Sequence, residues 1–435
     1  MFIHSPNELL RSPSLVATGQ RMREHNAAVL LRMIWGTPEG VSRADLARRS
    51  GLSRSTVSTI TAELLDDGLI TEDRVARSKG GRPPMLLQVC DDQFAVIGLE
   101  IGGSHLSCVR TDLRGEVHHH RSEACDVPGM PGATLERIER LIDDALQGLD
   151  SPTRQVGIGI AVPCPLDADA PGRLSTRILP GWSEIDLGGH LFDRYGLPVL
   201  MDNDANLGAL AESWWGSGRG VPHFTYVKVA TGIGAGHIIH GEIFRGASGI
   251  AGEIGHSMVA QGGRRCRCGL HGCLEAEVGS AAIVEKARER LAANGTTSQL
   301  SEGSLTLGAV VDAAVAGDPL ATELIREAGT SIGIALANLV NLMNPARIVL
   351  GGRLSGAGDL LVRPMRRAMQ ARALATSVEG SELRVSELSP GAVARGAAAL
   401  VLQWALDNAR VLAPRESTPD SRASTRLLSV QPALR

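Results

Sequence analysis

Lysine is nearly missing from this chain. Lys79, Lys228 and Lys286 are the three present among 44 Lys and Arg residues in 435, a bias that carries no functional reading by itself. No apolar run reaches the roughly 18 residues that a membrane-spanning helix needs, so no membrane partner is expected. Residues 1–20 hold no compact apolar segment ending in a cleavage site, so no signal peptide is expected either. Seven cysteines are present. Cys90, Cys108, Cys125 and Cys164 are scattered, as packing residues would be. Reduced thiols suit the cytoplasm better than a disulfide framework would suit an exported chain. A content of 43% hydrophobic and 21% charged residues is that of a soluble globular protein. The length is too great for one core and implies two or three domains.

The remaining three cysteines are concentrated. His256 is followed by Cys266, Cys268 and Cys273, with glycines at 262, 263, 269 and 272. One imidazole and three thiolates form a tetrahedral Cys₃His set, the closed ligand shell of a structural zinc ion. The glycines let near neighbours in sequence converge on one ion. The alternative, unrelated free cysteines, fits poorly with three of seven falling inside eight residues. His271 is a spare candidate ligand, read more simply as a solvated loop histidine.

The net charge of −3 conceals an asymmetry. Residues 21–84 carry eleven Lys/Arg and eight Asp/Glu, so this segment is +3 and the remainder −6. A basic module on an acidic body points to a polyanion at the N-terminal end. Residues 27–34 read as an apolar helix stopped by Gly36 and Pro38. Ser42 caps a second helix, with Asp45 at the capping-box position and Leu46 and Ala47 facing inward. Gly51-Leu52 makes a tight turn, and Ser53 caps a third helix with Val57, Ile60 and Leu64 at helical spacing. The opposite face presents Arg54, Ser55, Thr56, Ser58 and Thr59, donors suited to base edges and phosphates in a major groove. Residues 69–71 and 85–89 read as strands flanking a basic wing over 77–84, whose Arg82 is placed to enter a minor groove. The simpler alternative is a three-helix protein-interaction module with a polar third helix.

Beyond the wing, residues 94–101 read as a buried strand leading through Gly102-Gly103-Ser104 into a second strand over 106–111. Glycines directly after a strand let backbone N–H groups approach a phosphate, although many hairpins contain them. A further strand over 199–201 runs into Asp202-Asn203-Asp204-Ala205-Asn206. A carboxylate there, at a strand end, can accept a proton from an attacking hydroxyl; the same residues would equally cap a helix. Residues 226–230 form a strand ending in the glycine-rich 231–236. Residues 328–343 read as an apolar helix, followed by a strand ending in Gly351-Gly352. Residues 392–406 read as a closing helix.

The run Glu253-Ile254-Gly255-His256, followed by Cys266-Arg267-Cys268-Gly269-Leu270-His271-Gly272-Cys273-Leu274-Glu275, resembles the signature of the ROK family of repressors, open reading frames and kinases. The likeness extends over most of residues 92–400. It implies an α/β fold: a winged helix-turn-helix over 21–91, then a two-lobed actin-like (ribonuclease H-like) body over 92–410; residues 1–20 and 411–435 are expected to lack structure, the latter being rich in Ser, Pro and Arg. In such proteins Asn203, Asp204, Glu253, His256 and Glu275 would bind sugar hydroxyls, while His256 and the three cysteines hold zinc. Gly102, Gly103, Thr231, Gly232, Gly234, Gly351 and Gly352 would line a nucleotide site, and Asp204 would be the catalytic base of a kinase. Several positions depart from the kinase pattern. Glu100 and Ser104 stand where kinases have Asp and Thr. Ile178 replaces an asparagine before Leu179-Pro180-Gly181-Trp182, and Pro163-Cys164-Pro165 replaces Pro-Gly-Pro. Single-domain kinases lack the N-terminal module. The resemblance therefore implies a repressor with an operator duplex and a sugar or sugar-phosphate effector, working as a homodimer or homotetramer. The alternative is an ATP- and Mg²⁺-dependent sugar kinase with an added DNA-binding domain.

Overall fold

The computed structural model describes residues 19–75, 85–149, 153–164, 166, 179, 181–182, 185–293, 298–388 and 391–413. The expected wing with Arg82, Ile178, and most of both terminal segments expected to lack structure lie outside these. The termini depart from expectation at their inner edges. Helix α1 (Gly19–Trp35) starts inside the N-terminal stretch, and at the other end Leu412 is buried, its carbonyl accepting from Arg154 Nη1 at 2.9 Å.

In the N-terminal module, α1 precedes α2 (Arg43–Ser50) and α3 (Arg54–Asp66), and strands β1 (Ile70–Val75) and β2 (Met85–Val89) pair antiparallel. The caps form as the residue types dictate. Ser42 Oγ accepts from Asp45 N at 3.1 Å and Ser53 Oγ from Thr56 N at 3.1 Å, each satisfying a first-turn donor. Gly51 takes φ 73°, the left-handed conformation that closes α2 without a Cβ clash. Leu30, Leu31, Ile34, Leu46, Val57, Ile60 and Leu64 form the core.

The body contains two five-stranded sheets. The first is built from β3 (Phe94–Ile101), β4 (His105–Thr111), β5 (Val117–Ala124), β6 (Arg154–Val162) and β7 (Val199–Asn203), with α4 (Pro131–Leu146) and α5 (Leu187–Tyr195) interposed. Helix α6 (Asp204–Trp215) leads to the second sheet: β8 (His223–Val229), β9 (Ile233–Ile239), β10 (Glu242–Phe244), β11 (Arg347–Gly351) and β12 (Glu382–Val385). Between β10 and β12 come α7 (Leu274–Val278), α8 (Ser280–Ala292), α9 (Leu307–Val315), α10 (Pro319–Met343), α11 (Asp359–Gln370) and α12 (Ala375–Glu379); α13 (Ala392–Asp407) follows β12. The sheet orders are β5-β4-β3-β6-β7 and β10-β9-β8-β11-β12, so one topology occurs twice: an antiparallel three-strand meander flanked by two parallel strands. Helix α10 begins nine residues before its expected start, because Asp318 caps it and Pro319 suits its first turn.

Helix α13 ties the parts together. A Cβ at Gly98 would meet the Ala394 carbonyl, and one at Gly159 the Ala397 carbonyl, so the glycines admit α13 onto the first sheet. Val401, Leu402 and Ala405 of α13 belong to the same apolar cluster as the N-terminal core. Polar bonds reinforce that joint. Trp35 Nε1 donates to Leu113 O at 2.7 Å, Arg154 Nη1 to Asp67 O at 2.8 Å, and Arg114 to Trp35 O. No described helix is long and apolar enough to cross a membrane.

Candidate functional site

A cleft of about 150 Å³ is lined by residues from both sheets, and the chain delivers its walls from strand ends. Gly102, Gly103 and His105 come from the β3–β4 turn, Asn203 and Asp204 from the end of β7, Lys228 from β8, and Thr231–Gly234 from the β8–β9 hairpin. Glu253, Arg267 and Glu275 arrive from the segment that follows β10, and Leu179 from the loop after β6.

The triplet Asp202-Asn203-Asp204 divides into three roles. Asp202 is buried and accepts from Arg245 Nε at 3.0 Å and Nη2 at 2.6 Å, and from Asn206 Nδ2 at 3.0 Å. Asn203 caps α6, its Oδ1 accepting from Ala205 N at 2.9 Å, which leaves its amide Nδ2 for a ligand. Asp204 Oδ2 accepts from Lys228 Nζ at 2.8 Å, and the same ammonium donates to Glu100 Oε1 at 2.6 Å. Burial alone would push the Glu100 carboxyl up, but Lys228 and His105, whose Nε2 lies 3.5 Å away, hold it down at about 2. Burial likewise works against the Lys228 charge, and Asp204 and Glu100 more than reverse it, so its pKa is raised.

Lys228 was not singled out as a site residue in sequence, although a signal existed. A lysine inside the apolar strand Tyr226-Val227-Lys228-Val229 is out of place unless a buried partner awaits it. Arg267, His105 and Arg245 were also missed: Asp202 lies 43 residues from Arg245, and the nearer pairs, His105 with Glu100 and Arg267 with Glu275, meet only when the β3–β4 hairpin and the loop before α7 fold back. Arg267 Nε lies 2.9 Å from Glu275 Oε1, whose second oxygen accepts from Ile233 N at 3.0 Å. Glu275 thus ties the α7 segment to the β8–β9 hairpin.

The glycine-rich 231–236 is not one loop. Only the turn before Ile233 is loop, and Gly234 and Gly236 lie on β9. A Cβ at Gly236 would strike the Ala205 carbonyl, so this glycine lets the first turn of α6 lie against the strand. Gly351 and Gly352 do not line the cleft; they close β11 against Tyr226 and Val229.

His256, Cys266, Cys268 and Cys273 present ligand atoms all within 4.8 Å of one another, a candidate metal cluster. His256 Nδ1 lies 3.5 Å from Cys266 Sγ, and Cys268 Sγ lies 3.7 Å from Cys273 Sγ. Bonds of about 2.0–2.3 Å to one tetrahedral ion place ligand atoms roughly 3.3–3.8 Å apart, so the set fits such an ion. His256 does not itself line the cleft; its Nε2 faces Glu253 Oε2 at 3.7 Å.

On the N-terminal module, Arg54, Ser55, Ser58 and Thr59 are exposed along one side of α3, with Thr56 half-buried, while Val57, Ile60 and Leu64 are buried on the other. Helix α6 runs from the cleft to the joint with the N-terminal module. Asp204 sits in its first turn, and Trp214, near its last residue, meets the module. The Trp214 ring lies 5.0 Å from that of Trp35 at the end of α1. Trp215 Nε1 donates to Arg114 O at 2.9 Å. Twelve residues make about 18 Å of helix between cleft and joint.

Residues 96–404 match the profile of the ROK family, and residues 25–74 that of the IclR helix-turn-helix domain. The xylose repressor of Caldicellulosiruptor bescii is 31% identical over 370 residues, covering 83% of this chain and 92% of that one. The glucokinase of Halalkalibacterium halodurans is 33% identical over 318 residues, covering 71% and 94%. A crystal structure described as a ROK family transcriptional regulator, homolog of E. coli MLC protein, superposes with a TM-score of 0.75 at 28% identity, covering 90% of this chain and 98% of that one.

Proposed function

Because the chain belongs to the ROK family and carries a helix-turn-helix at its N-terminal end, we propose that it is a sugar-responsive DNA-binding repressor without kinase turnover. The observation that carries this reading is the placing of two sites at opposite ends of one helix. A carboxylate-lined cleft opens at one end of α6, and a helix-turn-helix with an exposed Arg/Ser/Thr face is packed against the other.

The module reads DNA with α3. Arg54 is placed to address guanine O6 and N7, and Ser55, Thr56 and Ser58 bases or phosphates. The sugar lies in the cleft, where Asp204, Glu253 and Glu275 accept from hydroxyls and Asn203 Nδ2 donates. Its binding favours a closed arrangement of the sheets that carries α6, and with it the Trp214–Trp35 joint, to a new position. In an assembly of at least two copies, this changes the separation of paired α3 helices and lowers affinity for spaced half-sites. Zinc(II) is the ion the Cys₃His set would take. With four protein ligands it serves as a structural cross-link, and the residues themselves do the positioning: Cys273 precedes α7, which carries Glu275, and His256 backs Glu253.

The test is fluorescence anisotropy of a labelled duplex from the gene's own upstream region, titrated with protein and then with a sugar panel. Salt-sensitive binding that one sugar weakens is expected. Arg54→Ala should cost about 1–3 kcal/mol of operator affinity, a loss of about 5- to 150-fold, and relax preference at one base pair. Unchanged affinity for this variant would remove α3 from the interface.

A second reading, sugar kinase activity, is favoured by Asp204 at the cleft wall. Against it stand the Lys228 ion pair on that carboxylate and the Ser104–Thr231 hydroxyl contact of 3.3 Å between the two glycine turns. A coupled assay with ATP, Mg²⁺ and hexoses should give no turnover above background. Turnover abolished by Asp204→Asn would establish the kinase.

A further inference from the structure

We propose that Lys228 is a specificity-determining residue: a cation built into the cleft, standing where a divalent metal would otherwise be held, that commits the site to an uncharged sugar and excludes phosphorylated ligands. This rests on the sugar-responsive reading above and deepens it by naming the chemistry of the effector.

Two carboxylates facing one another across a cleft are an ordinary way to collect Mg²⁺, which then bridges to substrate phosphates. Here Glu100, from the first sheet, and Asp204, at the start of α6, converge on the ammonium of Lys228 at 2.6 and 2.8 Å. The lysine is buried and fixed by its strand, with Val227 and Val229 packed into the core of the second lobe. An ammonium has three donors, and two are taken by the carboxylates. The third is available to a hydroxyl oxygen, because Lys228 itself forms part of the cleft wall. A ring hydroxyl can therefore accept from Nζ while donating to Asp204, a pairing that needs no metal.

The charge balance points the same way. The charged groups lining the cleft are Asp204, Glu253, Glu275, Lys228 and Arg267, and Glu100 stands behind Lys228. Leaving histidine aside, this is four negative charges against two positive ones. Both cations are already engaged, Lys228 with Glu100 and Asp204, and Arg267 with Glu275 at 2.9 Å. A phosphate bringing about −1.5 to −2 charges meets no unengaged cation among the described residues of the lining. The glycine turns that would cradle it are also drawn together. Ser104 Oγ lies 3.3 Å from Thr231 Oγ1, and a Cβ on Gly103 would press on the Thr231 side chain at 2.9 Å.

The experiment uses the full-length protein. Calorimetry compares aldoses and N-acetylhexosamines with their phosphates, with and without Mg²⁺, and Mn²⁺ binding is followed by electron paramagnetic resonance. Expected is one uncharged sugar that binds independently of Mg²⁺, its phosphate being weaker by about 100-fold or more. Wild-type protein should leave Mn²⁺ free. Lys228→Met should gain a Mn²⁺ site at the exposed carboxylate pair and lose roughly tenfold or more in sugar affinity, whereas Lys228→Arg, which keeps the charge, should gain none. A merely structural lysine would not produce the Mn²⁺ signal. If Lys228→Met fails to fold, the wild-type ligand panel and Lys228→Arg decide. Tighter binding of the phosphorylated sugar, or Mn²⁺ bound by the wild-type cleft, overturns the role of Lys228 and leaves the sugar-responsive reading standing. Binding of no sugar in either form overturns that reading and this inference with it.

Discussion

Replacing Cys273 with serine is expected to strip the protein of its metal and lower sugar affinity by about 10- to 100-fold, the usual consequence of removing a support behind a binding group. The reason lies in where the chain goes next. Cys273 precedes α7, and Glu275 lies two residues further on, tied to Arg267 and to Ile233 N. The preceding loop has little regular structure of its own. Isolated bridges join Met258 to Cys273 and Arg265 to His271, and Gly272 at φ 72° passes so close to the Ala260 carbonyl that no side chain fits. Zinc bound by such a set contributes about 10 kcal/mol or more in small metal-dependent domains, far more than these few backbone bonds. Operator affinity without sugar should stay near wild type, because the N-terminal module packs on α13 and α6 rather than on this loop. Metal analysis, calorimetry with sugar and anisotropy with operator check the three parts. A Cys273→Ser protein that lacks zinc yet releases DNA at the wild-type sugar concentration would take the loop out of the sensing path.

Lys228→Met is expected to destabilise the protein by about 3–5 kcal/mol, since it leaves two carboxylates facing each other without their shared counter-ion. The pH dependence follows from the shifts. The Glu100 carboxyl is depressed from an ordinary value near 4.5 to about 2, so its contribution is fully present above about 4.5 and is lost as the pH falls toward 2. Lys228 is shifted upward from 10.5; its contribution is fully present below that value and is lost only at still higher pH. The wild-type advantage over Lys228→Met should therefore shrink on acidification, and begin to do so above 4.5, because burial and mutual repulsion raise the orphaned carboxyls so that they take up protons first. Urea midpoints of both proteins at several pH values measure this. An advantage that grows on acidification would contradict the ion-pair account.

The parts of the molecule governed by short-range chemistry were legible in the sequence. Ser42, Ser53 and Gly51 announce helix ends because a cap is made within four residues, and the Cys₃His spacing announces a cluster because its members are near neighbours. Placement of Asp204 on the cleft followed from a strand end and a family likeness. What depends on distant partners was not legible. Nothing in the sequence around Gly236 says that its missing side chain makes room for Ala205. The repeated sheet topology is invisible because the strands share an order and not a sequence. Lys228 needed Glu100, 128 residues away, before its position in an apolar strand made sense.

The indoles at the joint have an optical consequence. Trp35 and Trp214 are 5.0 Å apart at 54°, and Trp214 and Trp215 are 5.4 Å apart at 69°; of the five tryptophans in the chain, only Trp182 and Trp404 stand outside this group. Aromatic rings held this close and this obliquely couple their excited states, so the trio behaves as a single chiral chromophore. The protein thereby carries an unlabelled reporter at the boundary between its DNA-reading and ligand-binding parts. A sugar that moves α6 against α1 should alter the near-ultraviolet circular dichroism and quench or brighten the emission, while one that fills the cleft without moving the helix should leave both spectra untouched.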